Sequence, residues 1–404
     1  MDNSTVRSMM HHESSFNNYT ILERKIPTDK ILLSKTIASK TWLKVELIPK
    51  FYPLEQSHRI IYGIEVGQIK QNLCRCFQAL SIQANFKQQR VEAALLTPEF
   101  IEMNLYLWKV NDAGICIELQ RRQGCQYIFH RYAKYILQSS SGNPDNETCG
   151  FQTHQEPSFS SRAEYSSSNA NNNDEETFRK SVDFTNRLIQ SDRIDSKIMA
   201  MKSLCILTDW KKTNSNVSLS ISRAIVLGDV GDLAHEFVMK AVQIQYMEDK
   251  EFEKTISEVE YDSDDDDDEY FENGSRECIR IKNVLQNYGL VILSNALETL
   301  NMFSSETVHN NVNSTTLLMD DWFRTSKDLL INLLKEVDNA IYRPHNACLA
   351  AKCLFLFCCH NNSISSYLKS ASGLEITNSA KDIGKATNAN LWQECNELQS
   401  VLCQ

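Results

Sequence analysis

A chain of 404 residues exceeds what one hydrophobic core commonly supports, about 250–300 residues, so two or three folded units are expected. Hydrophobic residues make up 42%, and only 12 glycines and 7 prolines occur, against usual shares of roughly 7% and 5%; this favours helix and argues against turn-rich all-β architectures. The formal charge of −10 is uneven: nine carboxylates fall within residues 260–272 (EYDSDDDDDEYFE), whereas residues 1–138 carry 18 Lys+Arg against 12 Asp+Glu, a net of +6. That excess is too sparse for a nucleic-acid footprint, and no nucleic-acid partner is expected.

No run of about 18 apolar residues occurs, so no transmembrane segment is expected, and the polar opening MDNSTVRSMMHHESS does not read as a secretory leader. Thirteen cysteines, an odd number without a regular framework, suit a reducing compartment, so the expected location is cytoplasmic, or alternatively nuclear.

In chain order, residues 1–20 are polar and read as disordered. Residues 21–138 read as one small α+β module. Residues 41–48 alternate Leu43, Val45 and Leu47 with Lys44 and Glu46, a strand pattern. Residues 68–84 place Ile69, Leu73, Phe77 and Leu80 on one helical face. Four extended runs follow, about 88–96, 99–110, 114–121 and 125–130, with turn chemistry at Asn111–Gly114 and Gln123–Gly124. A final helix covers about 130–138, giving helix, four-stranded antiparallel sheet, helix.

Residues 139–174 are rich in Ser and Asn and poor in aliphatics, which reads as a disordered linker. Residues 175–404 then read as helical, interrupted by a disordered acidic insertion at 257–276. Amphipathic or strongly apolar helices are expected at 175–190, 196–208, 281–300, 321–337 and 345–359. Aligning three of them puts a small residue four places before a Leu: Ala200/Leu204, Gly289/Leu293 and Ala350/Leu354. The small residue lets a neighbouring helix approach, and helices this apolar must lie between neighbours, as in stacked helix pairs. The expected fold is mainly α: an irregular helical-repeat domain preceded by the small α+β domain.

On those paired positions, region 175–400 resembles armadillo-type and HEAT-type repeats, which implies a protein-binding scaffold without chemistry of its own. Residues 66–138 resemble the kinase-associated C-terminal domain. The match runs from Ile69–Leu73 and Ala79–Leu80 through Asn104–Trp108 and Gly114–Arg122, to the Gln123–Gly124 turn and Ile136–Leu137. That resemblance implies binding of acidic phospholipid or intramolecular regulation. No kinase domain accompanies it, since the glycine-rich loop, HRD and DFG are all missing.

Candidate chemistry is thin. No G-x-S-x-G elbow or HExxH is present. Cys348, Cys353, Cys358 and Cys359 lack zinc spacing, and Cys74 and Cys76 point apart on a helix, so no metal and no cofactor are expected. Cys116 and Cys125 flank the Gly124 turn on expected adjacent strands. The acidic run lacks the glycine of a calcium loop, and Ser263, followed by three aspartates, reads as a phosphorylation site for an acid-directed kinase. Gly228 and Gly231 read as a helix end. Among the basic residues Arg75, Lys109, Arg121, Arg122, Arg131 and Lys134, the expected anion or lipid contacts are Arg122, Arg131 and Lys134. The leading expectation is a non-enzymatic scaffold for an unidentified protein partner. The alternatives are a membrane-surface regulator binding anionic phospholipid and an enzyme with an unrecognised site.

Overall fold

The computed structural model describes residues 45–86, 92–110, 114–142, 170–228, 233–246, 268–304 and 326–404. The first part is an α+β unit of β1 (His58–Tyr62), α1 (Val66–Ala79), β2 (Gln83–Phe86), β3 (Glu92–Leu96), β4 (Glu102–Lys109), β5 (Gly114–Gln123) and α2 (Gln126–Ser140). The sheet has five strands rather than four, in the order β1-β5-β4-β3-β2, with every pairing antiparallel. Strand alternation sends Leu95, Met103, Leu105, Leu107, Ile117 and Leu119 to one face, where they share a core with Ile69, Leu73 and Phe77 of α1 and Phe129, Tyr132 and Ile136 of α2.

Residues on the other strand parity meet a strap formed by residues 45–57. Its centre is Glu118, fully buried on β5. The Tyr52 hydroxyl donates to Glu118 Oε2 at 2.8 Å, the Glu55 amide donates to Oε1 at 2.8 Å, and Trp108 Nε1 donates to Oε2 at 3.4 Å. A buried carboxylate without such donors would cost several kcal/mol, so these bonds fix the strap to the sheet. Burial, with Glu118 next, pushes the Tyr52 phenol up to about 12.

Several boundaries differ from the sequence expectation. Residues 125–130 are not a strand, because α2 begins at Gln126; Cys125 is its exposed N-cap and does not face the buried Cys116 across a strand pair. The helix expected to reach 84 stops at Ala79, and 83–86 is strand. Of the strand expected at 41–48, residues 41–44 lie outside the described residues and Leu47 forms only an isolated parallel bridge with Lys109. The expected linker 139–174 is entered by helix on both sides, up to Ser140 and from Ala170, and residues 268–276 of the expected acidic insertion are helical. Residues 1–20, 143–169 and 257–267 lie outside the described residues.

The remainder is helical: α3 (Ala170–Gln190), α4 (Ile194–Leu207), α5 (Ser215–Leu227), α6 (Leu233–Gln243), α7 (Asp268–Ser304), α8 (Lys327–Asp338), α9 (Pro344–His360), α10 (Asn362–Ser370), α11 (Gly373–Thr387) and α12 (Ala389–Leu402). Local chemistry sets several ends. Asn214, Asn361 and Asn388 cap α5, α10 and α12 with their side-chain oxygens, Pro344 opens α9, and Gly228 ends α5 at φ 57°.

These helices stack in two layers. One holds α3, α6, α8 and α11; the other holds α4, α7, α9 and α12; α5 packs against α7 and α3, and α10 against α9, α11 and α12. The small and Leu positions aligned in the sequence all belong to the second layer. There Ala200, Leu293, Ala350 and Leu354 are fully buried and Leu204 nearly so. Gly289 has a packing reason: a Cβ there would meet Val242 N at 3.0 Å, so the glycine lets α6 lie against α7. Across the stack, the buried Glu336 carboxylate pairs with Arg343 at 3.0 Å and accepts from Gln286 Nε2 at 3.0 Å; Gln286 Oε1 in turn accepts from Arg343 at 2.8 Å and Asn346 at 3.1 Å.

The α+β unit is docked on this stack. Ser81, buried at φ 55°, accepts at its carbonyl from Asn388 Nδ2 at 3.4 Å and at Oγ from the Asn390 amide at 2.9 Å. Gln83 Nε2 donates to the Tyr342 carbonyl at 3.2 Å, and Arg280 donates to Gln123 Oε1 at 2.8 Å. His345 Nε2 donates to the Leu96 carbonyl at 3.1 Å; burial holds its pKa down at about 4, which keeps the ring neutral near pH 7. Among the described residues no helix is long and apolar enough to cross a membrane.

Candidate functional site

The second helix layer carries a partly exposed face. On α7 it is marked by Tyr288, Val291, Asn295, Glu298 and Met302, spaced by three and four residues so that they form one stripe. Cys348, Lys352, Phe355 and Cys359 form the matching stripe on α9, and Glu394, Glu397 and Val401 that on α12. The stripes adjoin one another: Asn295 Nδ2 donates to the Cys205 carbonyl of α4 at 3.1 Å, and Lys352 reaches Glu298 across α7 and α9.

A ladder of alternating charge crosses this face. Lys211, in the turn after α4, lies 3.1 Å from Glu298 Oε1, and Lys352 lies 2.6 Å from Glu298 Oε2. Burial alone would raise the Glu298 carboxyl, but Lys352 and Lys211 outweigh it and hold it below the usual carboxylate range. Glu394 ends the ladder differently. Burial pushes its pKa up to about 7, Lys352 offsets part of that, and Glu397 and Glu298 add to it. Its Oε2 is buried with no hydrogen-bond partner among the described residues.

These groups do not make a reactive set. Burial raises the thiols of Cys348, Cys353 and Cys395, and Glu394 adds to the rise at Cys348 and Cys395, so they remain protonated and weakly nucleophilic at neutral pH. His345, the buried imidazole on α9, is engaged with Leu96. Among the described residues no group of three or more His, Cys, Asp or Glu is placed to hold a metal ion. What the face offers is shape, apolar area and paired charge.

The three basic residues singled out from the sequence do not come together. Arg122, at the exposed end of β5, donates to the Tyr106 hydroxyl at 3.4 Å; with the Asn104 amide oriented to accept, it also bonds Asn104 Oδ1 at 2.9 and 3.0 Å. Asn104 and Tyr106 have the strand parity of Glu118, opposite to the residues that pack on α2. Arg131 and Lys134 lie on α2 itself, beyond the other face of the sheet. Arg121 is turned back onto the Gly124 carbonyl at 2.9 Å. Ser263 and Gly231 lie outside the described residues. On α2, however, Tyr127, Arg131 and Lys134 share one helical stripe, and Tyr127 is strongly exposed.

No sequence pattern signals the ladder, whose members are 87 and 54 residues apart at its two ion pairs and meet only through helix stacking. No protein-family model matches the chain, and no curated protein matches it.

Proposed function

We propose that the chain is a non-enzymatic scaffold that binds another protein on the exposed face of its second helix layer. The carrying observation is that face itself: α7, α9 and α12 side by side, with apolar side chains flanking the Lys211–Glu298–Lys352 ladder. Such a mix of partly exposed apolar and paired polar groups is what protein-protein contacts use, and stacked helix pairs of the armadillo and HEAT kind employ their layer faces in this way. Reversing charge at Lys352 and adding charge at Val291 (Lys352→Glu with Val291→Lys) should abolish a defined set of proteins cross-linked to the wild-type chain, at unchanged helical content. If the same set is retained, the reading is wrong.

A second reading, a membrane-surface role for the α+β unit, is favoured by the Tyr127–Arg131–Lys134 stripe. An exposed aromatic followed by two cations along one stripe suits an anionic headgroup layer, where each cation contributes ~1 kcal/mol. Arg131→Gln with Lys134→Gln should then lower sedimentation of the full chain with phosphatidylserine vesicles by at least tenfold, while Arg122→Gln should leave it unchanged. Equal effects of the two changes would remove the stripe from consideration.

A further inference from the structure

The first helix pair of the stack, α3 and α4, ends it with an outer surface of an unusual kind. Terminal pairs of stacked arrays keep polar outer faces. Here Phe184 on α3 and Met199 and Ile206 on α4 are each more than half exposed, at 54, 55 and 52%. Phe184 lies about two turns before the Ser191–Arg193 turn and Met199 about two turns after it, so the hairpin brings them to the same level.

Beside them runs a regular charge pattern. Glu176, Lys180, Asp183 and Arg187 are all exposed and are spaced by four, three and four residues, which is one stripe along α3 reading minus, plus, minus, plus. Laid antiparallel on itself, such a stripe sets opposite charges against each other at every position. Glu176 then faces the partner's Arg187, and Lys180 faces the partner's Asp183.

We infer that α3 and α4 form a two-fold contact with a second copy of this chain, the α3 helices antiparallel and Phe184, Met199 and Ile206 sealing the flanks. A two-fold contact must be self-complementary, and the stripe meets that requirement without any change of conformation. The surface is modest. From Glu176 to Gln190 the hairpin offers about 22 Å by 20 Å, roughly 450 Å² per chain against ~800 Å² in a standard complex, so the association belongs in the micromolar range.

Within one chain, Lys180 and Glu176 already pair at 2.6 Å, so a purely helix-stabilising role for the stripe must be told apart from pairing between chains. Sedimentation velocity of the full chain from about 1 to 100 µM should show mass rising from one chain to two. Phe184→Glu with Met199→Glu should leave only the single-chain species. Lys180→Asp places carboxylates opposite the partner's Asp183 at both symmetry-related positions and should weaken the dimer about tenfold. Adding Asp183→Lys should restore it, although that double change sets like charges four apart within α3 itself. A single-chain species at 100 µM overturns the proposal. So does a double variant that keeps its circular dichroism and fails to recover the dimer.

Discussion

Glu394 and Glu118 show how position decides what a carboxylate does. Glu118 is buried but receives donors on both oxygens from Tyr52, Glu55 and Trp108, so its charge organises the strap. Glu394 has a buried oxygen with no donor and a pKa of about 7, against an ordinary value of 4.5. The folded state therefore keeps a proton that the unfolded chain has released, and stability falls as pH rises from about 4.5 to about 7, then stays lowered. Replacing Glu394 with Gln removes this cost. The variant should melt several degrees above wild type at pH 8, with a gain of up to about 3 kcal/mol, and the difference should shrink to about 1 kcal/mol or less at pH 5 and vanish below about pH 4. Equal melting temperatures at pH 8 would mean that Lys352 stabilises the charged form far better than the burial of Glu394 allows.

Among the elements, the close crossing of α11 and α12 offers a test in which sign decides. Gly384 sits in the interior of α11, where Gly→Ala ordinarily gains up to ~1 kcal/mol of helix stability. A Cβ there would lie 2.6 Å from the Trp392 amide nitrogen, a backbone atom that cannot swing aside. Gly384→Ala should thus destabilise by about 1–3 kcal/mol, read as a lower denaturation midpoint. A raised midpoint would place the two helices further apart. Elements of this kind were partly legible in the sequence. Leu204 and Leu354 revealed buried helices because their surroundings are apolar on nearly all sides, and both lie in the buried second layer. β1 was missed because His58–Tyr62 sets Ile60 and Ile61 side by side rather than alternating with polar residues: Ile61 enters the core, while Ile60 lies on the parity shared with the strap-facing residues. The start of α2 was misread because Tyr127, Ile128 and Phe129 favour strand locally, yet Phe129, Tyr132, Ala133 and Ile136 supply a helical core face that prevails. Arg122 lies close to Arg131 and Lys134 in sequence, but that proximity says nothing of which side of a sheet each reaches.

At the scale of the whole molecule, the α+β unit and the helical stack meet through residues some 157 to 309 positions apart, and composition carries no trace of that pairing. Asn388 is the joint's most loaded residue: its Oδ1 caps α12 by accepting from the Leu391 amide at 2.9 Å, and its Nδ2 donates to the Ser81 carbonyl at 3.4 Å. Ser81 in turn holds the Asn390 amide, so the turn after α1 is stitched to the start of α12 in two places. The joint also takes in the starts of α9 and α12, two helices whose side chains line the proposed binding face, which ties the geometry of that face to the docked unit. Asn388→Ala removes the cap and one stitch and should cost ~1–2 kcal/mol. Its effect should cross the joint, with amide exchange speeding at Leu391 on one side and at Ser81 and Ile82 on the other, the latter amides being bonded within the α1 turn to the Gln78 and Phe77 carbonyls. Faster exchange confined to α12 would show that the two parts are held together without this contact. Faster exchange on both sides would make Asn388 the point through which strain in one part reaches the other.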